Sequence, residues 1–271
     1  MKNKTAIVFL TNIPNKGTID FAERIAKETN FEVFIVVDNN DVHFDRTTEC
    51  VNFIQVRDSV CEEFGYIGCN IDGKSTHIQK KVIAYDKCMF ALCEIQFSYF
   101  DYFWIFEDDV FIPSVDTIIN LDKKYHSYDL VTPNNFEKTN NALDWHWKHI
   151  VDKIDPPYYY SMVCAMGISK KMLNEIKEYV ETNNKLFYIE AMFNTIAMKS
   201  KLSVISPLEL KSVVWLGDWG INEWLLLPEN VFHPLKLIDE HEYYRTTIKK
   251  AKDIGYKPVN KLPPFINELL N

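Results

Sequence analysis

No stretch of the 271-residue sequence approaches the length of apolar chain needed to cross a bilayer. The run Ala6 to Leu10 behind Met1-Lys2-Asn3-Lys4 is also too brief for the hydrophobic stretch of a secretory signal. Both absences predict a soluble, cytoplasmic protein with no integral membrane segment. Clustered basic charge is missing too: 30 Lys and Arg stand against 38 Asp and Glu, a formal charge of -8. That balance argues against nucleic acid as the main partner, because phosphate backbones are gripped by grouped cations. It leaves room for a small anionic ligand held through a metal. The six cysteines, Cys50, Cys61, Cys69, Cys88, Cys93 and Cys164, form no Cys-x-x-Cys pair, so reduced core thiols are expected rather than disulfides or zinc. No Gly-x-Gly-x-x-Gly occurs, which removes the dinucleotide fingerprint. Internal repeats and low-complexity segments are absent as well. What remains, 47% hydrophobic and 25% charged, is an ordinary globular composition, long enough to bury a substantial core.

The chain is organised around Tyr102-Phe103-Trp104-Ile105-Phe106-Glu107-Asp108-Asp109-Val110-Phe111-Ile112-Pro113, an apolar run that meets three carboxylates and then resumes. Its aromatic and β-branched content predicts a strand buried on both faces, with the acids at its C-terminal end. Adjacent carboxylates repel one another, and where solvent is scarce their pKa values rise unless a cation compensates. Hard oxygen ligands suit magnesium or manganese, and the C-terminal ends of strands are where open α/β sheets bind ligands. The other reading of the triplet is a solvated acidic turn.

Strands and helices alternate around this run. Ala6 to Leu10 and Glu32 to Val37 predict two strands joined by a helix that Thr18 caps, with Ile19, Ala22, Ile25 and Ala26 at helical spacing. Together they make a right-handed βαβ unit. Asn52 to Val56 predicts a third strand, Val60 to Lys74 a loop punctuated by glycines, and Ile78 the start of a long helix carrying Val82, Tyr85, Met89 and Leu92 on one face. Asp86 falls on a neighbouring apolar stripe with Ile83, Phe90, Cys93 and Phe97, where a carboxylate needs a partner. Ser114 opens a further helix and Asp129 to Thr132 a further strand. Residues 134–157 are irregular, and their Trp145, His146, Trp147 and His149 suit either a packed surface loop or a face for stacking on sugar rings. Tyr158 to Ile168 predicts one strand, followed by a helix capped by Ser169. Glu190 lies in the first turn of the next helix, where the helix dipole alone favours an acid. Leu202 to Ile205 and Ser212 to Trp215 predict later strands. A loop with Asp218 then leads to Val231-Phe232-His233-Pro234-Leu235-Lys236. A polar helix near Glu240 to Ile254 and a short one after Pro263-Pro264 read as a lid or packing arm.

Glu107-Asp108-Asp109 resembles the Asp-x-Asp metal motif of nucleotide-sugar glycosyltransferases of the GT-A fold, with Glu in the first place. His233-Pro234-Leu235-Lys236 resembles the His-Pro-x-Lys-like segment with which many of them close the domain. The likeness runs roughly from the first strand to Lys236, and only these two motifs within it are specific. It implies an α/β protein of the GT-A, Rossmann-like fold, with a mixed, mostly parallel central sheet flanked by helices. It further implies a single catalytic domain over 1–271, with a nucleotide-binding half at 1–112, an acceptor-binding half at 113–236 and a C-terminal helical tail at 237–271. The implied cofactor is a divalent metal, manganese before magnesium, held by Glu107, Asp109 and His233, with Lys236 approaching a phosphate and Asp108 among the residues that bind the donor. Thr11, Asn12 and Asp38 match strand ends that face the nucleotide, and Asp86, in a Tyr-Asp-Lys helix, borders it. Asp38 reads equally as part of the polar turn Asp38-Asn39-Asn40-Asp41, Thr11 as a plain strand end, and Asp86 as half of a structural ion pair.

The chemistry so implied moves a sugar from a nucleoside-diphosphate sugar, with UDP the expected nucleotide, to a hydroxyl of a glycan or other acceptor. A cation bridging the phosphates stabilises the charge that builds as the anomeric bond breaks. An inverting reaction needs a carboxylate base for the acceptor hydroxyl; Glu190 is the positional match and Asp218 the substitute. Retention stays open, since acids suited to either course are plentiful. A sugar-phosphate nucleotidyltransferase would carry a Gly-rich, Arg-containing loop after the first strand, but Thr11 to Thr18 offers only Gly17 and no Arg. A non-catalytic binding protein of the same fold is the remaining rival, and the intact acidic triplet and His233 count against it.

Overall fold

In the computed structural model, which describes residues 4–41, 48–70, 80–95, 99–139, 147, 150–151 and 153–259, the apolar runs form strands β1 (Thr5–Thr11), β2 (Glu32–Val37), β3 (Val51–Gln55) and β4 (Tyr102–Glu107). Short strands β5 (Leu130–Val131), β8 (Ala165–Ser169) and β9 (Val204–Ile205) complete one sheet in the order β3-β2-β1-β4-β8-β5-β9. Every pairing is parallel except those of β8, which runs antiparallel to both β4 and β5. The protein is therefore a mixed α/β structure with a mostly parallel central sheet flanked by helices.

Alternation along the strands divides the core in two. Val8, Leu10, Phe34, Phe103 and Ile105 face α3 (Ala84–Glu94), α5 (Lys170–Asn183) and α6 (Ile189–Lys199). Ile7, Phe9, Ile35, Trp104 and Phe106 face α1 (Lys16–Glu28) and α4 (Val115–Tyr125). Each such side chain, fully withdrawn from water, contributes roughly 1.5–3 kcal/mol. A third cluster of Phe111, Trp219, Trp224, Phe232, Leu235 and Ile248 anchors the closing segment against α7 (Ile221–Leu226) and α8 (His241–Asp253). There the described part of the tail is a packing arm: the Arg245 guanidinium lies 3.6 Å from the centre of the Phe21 ring and donates to the Ile112 carbonyl at 2.9 Å. Among the described residues no helix is long and apolar enough to cross a membrane.

Several local expectations are corrected. Helix α1 begins at Lys16 because Asn15, an N-cap at least as good as Thr, accepts from the Thr18 amide at 2.9 Å; Thr18 sits in the first turn. Helix α3 begins only at Ala84, because Asp86 reaches back to accept from the Ile83 amide at 2.8 Å and closes the helix there. Tyr158 to Ile168 is not one strand: β7 (Tyr159–Tyr160) pairs with β6 (Phe136–Glu137) in a separate ribbon. Between β7 and β8 the Ser161 amide turns to the Glu190 carbonyl, out of any ladder. Ser212 to Trp215 is not a strand either. Val213 makes an isolated bridge to His233, while Trp215 is 70% exposed. Ser114 and Ser169 cap α4 and α5 as expected. Ile78, Phe97, Trp145, His146, His149 and the segment after Pro263 lie outside the described residues.

Candidate active site

Parallel pairing of β1 with β2 and β4 brings Thr11, Asn12, Asp38 and the triplet Glu107-Asp108-Asp109 to one edge of the sheet. Thr11 donates its hydroxyl to Asp108, whose own amide is held by the Leu10 carbonyl at 3.0 Å. Asp38 stands beside Lys87, the side-chain ammonium lying 2.8 Å from its Oδ1 and from Asp58 Oδ1. Lys87 is fully buried, yet its two acids hold its pKa above the usual lysine value against the effect of burial. Lys80 crosses the same edge, with its Nζ 3.4 Å from Asn12 Oδ1 and 3.1 Å from the Asp38 carbonyl.

Helix α3 supplies three consecutive residues with three separate tasks. The Tyr85 hydroxyl donates to Glu107 Oε1 at 2.8 Å, and Lys87 neutralises Asp38. Asp86, between them, is wholly buried and accepts from the amides of Cys69 and Ile83, with no lysine paired to it among the described residues. Burial pushes its carboxyl up to about 6 in spite of those two amides.

The closing segment arrives from the far side of the sheet. Phe232 and Phe111 exchange backbone hydrogen bonds at 2.8 and 2.9 Å, the Leu235 amide donates to the Asp109 carbonyl at 2.9 Å, and the His241 ring contacts the Leu235 carbonyl at 2.9 Å. The His233 carbonyl accepts from the Trp219 indole at 2.9 Å, and its Nδ1 lies 2.8 Å from the Val214 carbonyl. Only a protonated Nδ1 suits that carbonyl, so Nε2 is the nitrogen turned to the acids, 3.4 Å from Asp109 Oδ2. Lys236 pairs with the same carboxylate. The imidazole and the mid-chain acids, far apart in sequence, therefore meet.

Electrostatics distinguish the members of the triplet. Burial, and then the charge of Asp109, raise Glu107. Burial raises Asp108 as well, against the Thr11 hydroxyl. Burial would also raise Asp109, but His233 and then Lys236 outweigh it and hold this carboxyl at about 2. Burial lowers the His233 imidazole, and Asp109 and Glu107 more than restore it, leaving it above its ordinary value. Asp109 is 5% exposed and its Oδ1 is buried with no hydrogen-bond partner among the described residues. An unsatisfied carboxylate oxygen is costly and calls for a cation or donor. A Glu107 oxygen, the Cys164 sulfur and a His233 ring nitrogen lie within 4.8 Å of one another, with the Asp109 carboxylate against the imidazole. Oxygen, nitrogen and sulfur donors so gathered fit a divalent cation.

Glu190 sits in the first turn of α6, as expected, and its backbone carbonyl binds the Ser161 amide at 2.9 Å. Burial drives its carboxyl up to about 7, partly offset by the Tyr188 hydroxyl and His233, while the Glu107 charge adds to the rise. Glu190 thus feels both the acids and the imidazole. Asp218, the substitute, is exposed in the loop between Trp215 and Trp219. Sequence reasoning gave no role to Cys164 or Tyr188, and none of their own to Tyr85 and Lys87, which flank Asp86 in the Tyr-Asp-Lys segment it singled out. Lys87 left one trace, a lysine next to Asp86 in a largely apolar helix. Cys164 left none, because its proximity to Glu107 comes from the reversed β8.

No family model and no curated protein sequence matches the chain. Among solved structures, the apo crystal structure of mouse xyloside xylosyltransferase 1 is similar at 12% identity and a TM-score of 0.36, over 76% of this chain and 84% of that one. A likeness of that size adds no weight to the site, which stands on its own geometry.

Proposed function

We propose that the protein is a metal-dependent glycosyltransferase of the GT-A type, moving a sugar from a nucleoside-diphosphate sugar, UDP before other nucleotides, to a hydroxyl acceptor. One observation carries this reading: His233 meets the acidic strand end beside a buried Asp109 oxygen that has no hydrogen-bond partner among the described residues. Glu107, Asp109 and His233 would hold the divalent ion, manganese before magnesium because a ring nitrogen joins the oxygens. When bound, that ion supplies positive charge for the departing diphosphate.

The remaining work falls to the chain itself. Lys236, whose side chain is 72% exposed, can leave Asp109 for a phosphate oxygen. Thr11, Asn12, Asp38 and Lys80 line the nucleotide end, with Lys87 keeping Asp38 fixed. Asp108, tied to Thr11, shapes the turn below the phosphates. As the anomeric C–O bond to the diphosphate breaks and the bond to the acceptor oxygen forms, Glu190 takes the hydroxyl proton. A carboxyl near 7 is half ionised at neutral pH and able to receive a proton, which suits an inverting course. Residues 1–112 would thus serve the donor and 113–236, apart from His233 and Lys236, the acceptor.

Calorimetry with UDP, with and without Mn2+, tests the donor site, and hydrolysis of a panel of UDP-sugars tests the chemistry. Metal-dependent UDP binding lost in Asp109→Ala and His233→Ala is the expected result. UDP binding indifferent to metal and to both substitutions would overturn the reading.

A further inference from the structure

The geometry points to a sulfur arm on this same site: Cys164 Sγ, with Glu107 and His233, makes a set that takes borderline-soft divalent cations, Zn2+ above all, in competition with the hard ion of the transfer reaction. This rests on the metal site proposed above and concerns which ions it accepts.

The reversed strand creates the arrangement. In the antiparallel pairing of β4 with β8, Phe106 stands opposite Ala165, so the next pair along is Glu107 and Cys164. The Glu107 amide donates to the Cys164 carbonyl at 2.8 Å, which fixes the two side chains' origins beside each other. Cys164 is 7% exposed and His233 4%, so both are shielded from bulk water. The ligand atoms of Glu107, Cys164 and His233 all lie within 4.8 Å of one another. Around a tetrahedral zinc, with bonds of about 2.0–2.3 Å, ligand atoms stand roughly 3.3–3.8 Å apart. Small side-chain rotations close that gap. The imidazole presents Nε2, because Nδ1 is held by the Val214 carbonyl, and a ligating histidine anchored through its other nitrogen is the usual arrangement in zinc sites. Asp109, 3.4 Å from that nitrogen, can complete four ligands.

Sulfur changes the selectivity of the site. Carboxylates and waters suit Mg2+ and Mn2+, whereas a thiolate favours zinc and cobalt. On binding, the Cys164 thiol gives its proton to solvent as the sulfur–metal bond forms. Neither electrons nor a co-reactant are needed.

Co2+ titration of the whole protein tests this without any turnover, since thiolate-to-cobalt charge transfer gives a near-ultraviolet band that oxygen and nitrogen ligands do not. The expected result is that band in the wild type and its loss in Cys164→Ser, with calorimetric Zn2+ affinity falling roughly tenfold or more while Mn2+ affinity changes less than about threefold. Cys164→Ala serves as a second variant. His233→Ala, which removes a ligand without touching any thiol, must lose the band as well. Co2+ binding without the band, or a band that persists in Cys164→Ser, overturns the sulfur arm and leaves the metal site standing. Failure of the wild type to bind Mn2+, Co2+ or Zn2+ at all overturns the metal site, and the sulfur arm with it.

Discussion

The pH dependence of transfer is the sharpest consequence of where Glu190 sits. Its carboxyl is raised from an ordinary 4.5 to about 7, first by burial and then by the Glu107 charge, with the Tyr188 hydroxyl and His233 pulling the other way. A base must be ionised to accept a proton, so activity should climb as pH rises through about 7. One unit below that midpoint roughly a tenth of the molecules carry the carboxylate, and one unit above about nine-tenths do, a change of nearly tenfold in kcat/KM. Glu190→Gln should lower kcat by about 100- to 10,000-fold and flatten this limb, leaving Mn2+-dependent UDP binding intact. Tyr188→Phe removes a hydrogen bond that favours the ionised form, so the limb should move to higher pH while the plateau rate survives. The assay is initial-rate UDP release at saturating metal across the neutral range. A Glu190→Gln enzyme that kept both the limb and near-wild-type rates would refute the assignment. A Tyr188→Phe limb displaced to lower pH would refute the electrostatic reasoning behind it.

Other outcomes follow from the same geometry. Asp109 at about 2, below its ordinary 3.8, contributes about 2 kcal/mol of stability. That contribution is fully present above the ordinary carboxylate range and lost as pH falls through about 2; denaturant melts of metal-free Asp109→Asn across acidic pH should lack this share of the acid destabilisation. Lys87→Met leaves the nearly buried Asp38 without its closest cation and should cost about 3–5 kcal/mol in urea unfolding; a loss below about 1 kcal/mol would mean the pair is dispensable. At Gly167 an added Cβ would lie 2.4 Å from the Tyr102 hydroxyl, so Gly167→Ala should destabilise by about 1–3 kcal/mol, read from the urea midpoint.

Much of the sheet was legible because its inner strands are buried on both faces and leave unbroken apolar runs. The acid-ended β4 and the αβ alternation belong to that class, whereas His233-Pro234-Leu235-Lys236 stood out only through its resemblance to a family segment. Short strands were harder: β5 and β9 are two residues each, and Tyr158 to Ile168 has strand composition throughout although Ser161 to Val163 spend backbone groups elsewhere. Ser212 to Trp215 looked like a strand for a similar reason, yet its carbonyls bracket His233. Side-chain roles set by long-range register escaped altogether. Nothing near Cys164 in sequence points to Glu107, and nothing near Lys87 points to Asp38 across the interval between β2 and α3. Asp86 was legible as an anomaly, a carboxylate on an apolar stripe, but its partners turned out to be main-chain amides that composition cannot reveal.

The reversal of β8 also bears on how such a protein can change. Because β5 ends, and β8 begins, at the edge where the acids gather, the chain leaves the sheet after Val131 and re-enters it at Ala165 on the same side. Trp147, Ile150, Tyr158 and Val163 are buried in the main core and fix that part of the excursion, whereas the exposed strand β6 can change while β1, β2 and β4 keep their alignment. On the proposed transferase reading, substitution of the exposed Phe136 and Glu137 becomes a practical route to an altered acceptor.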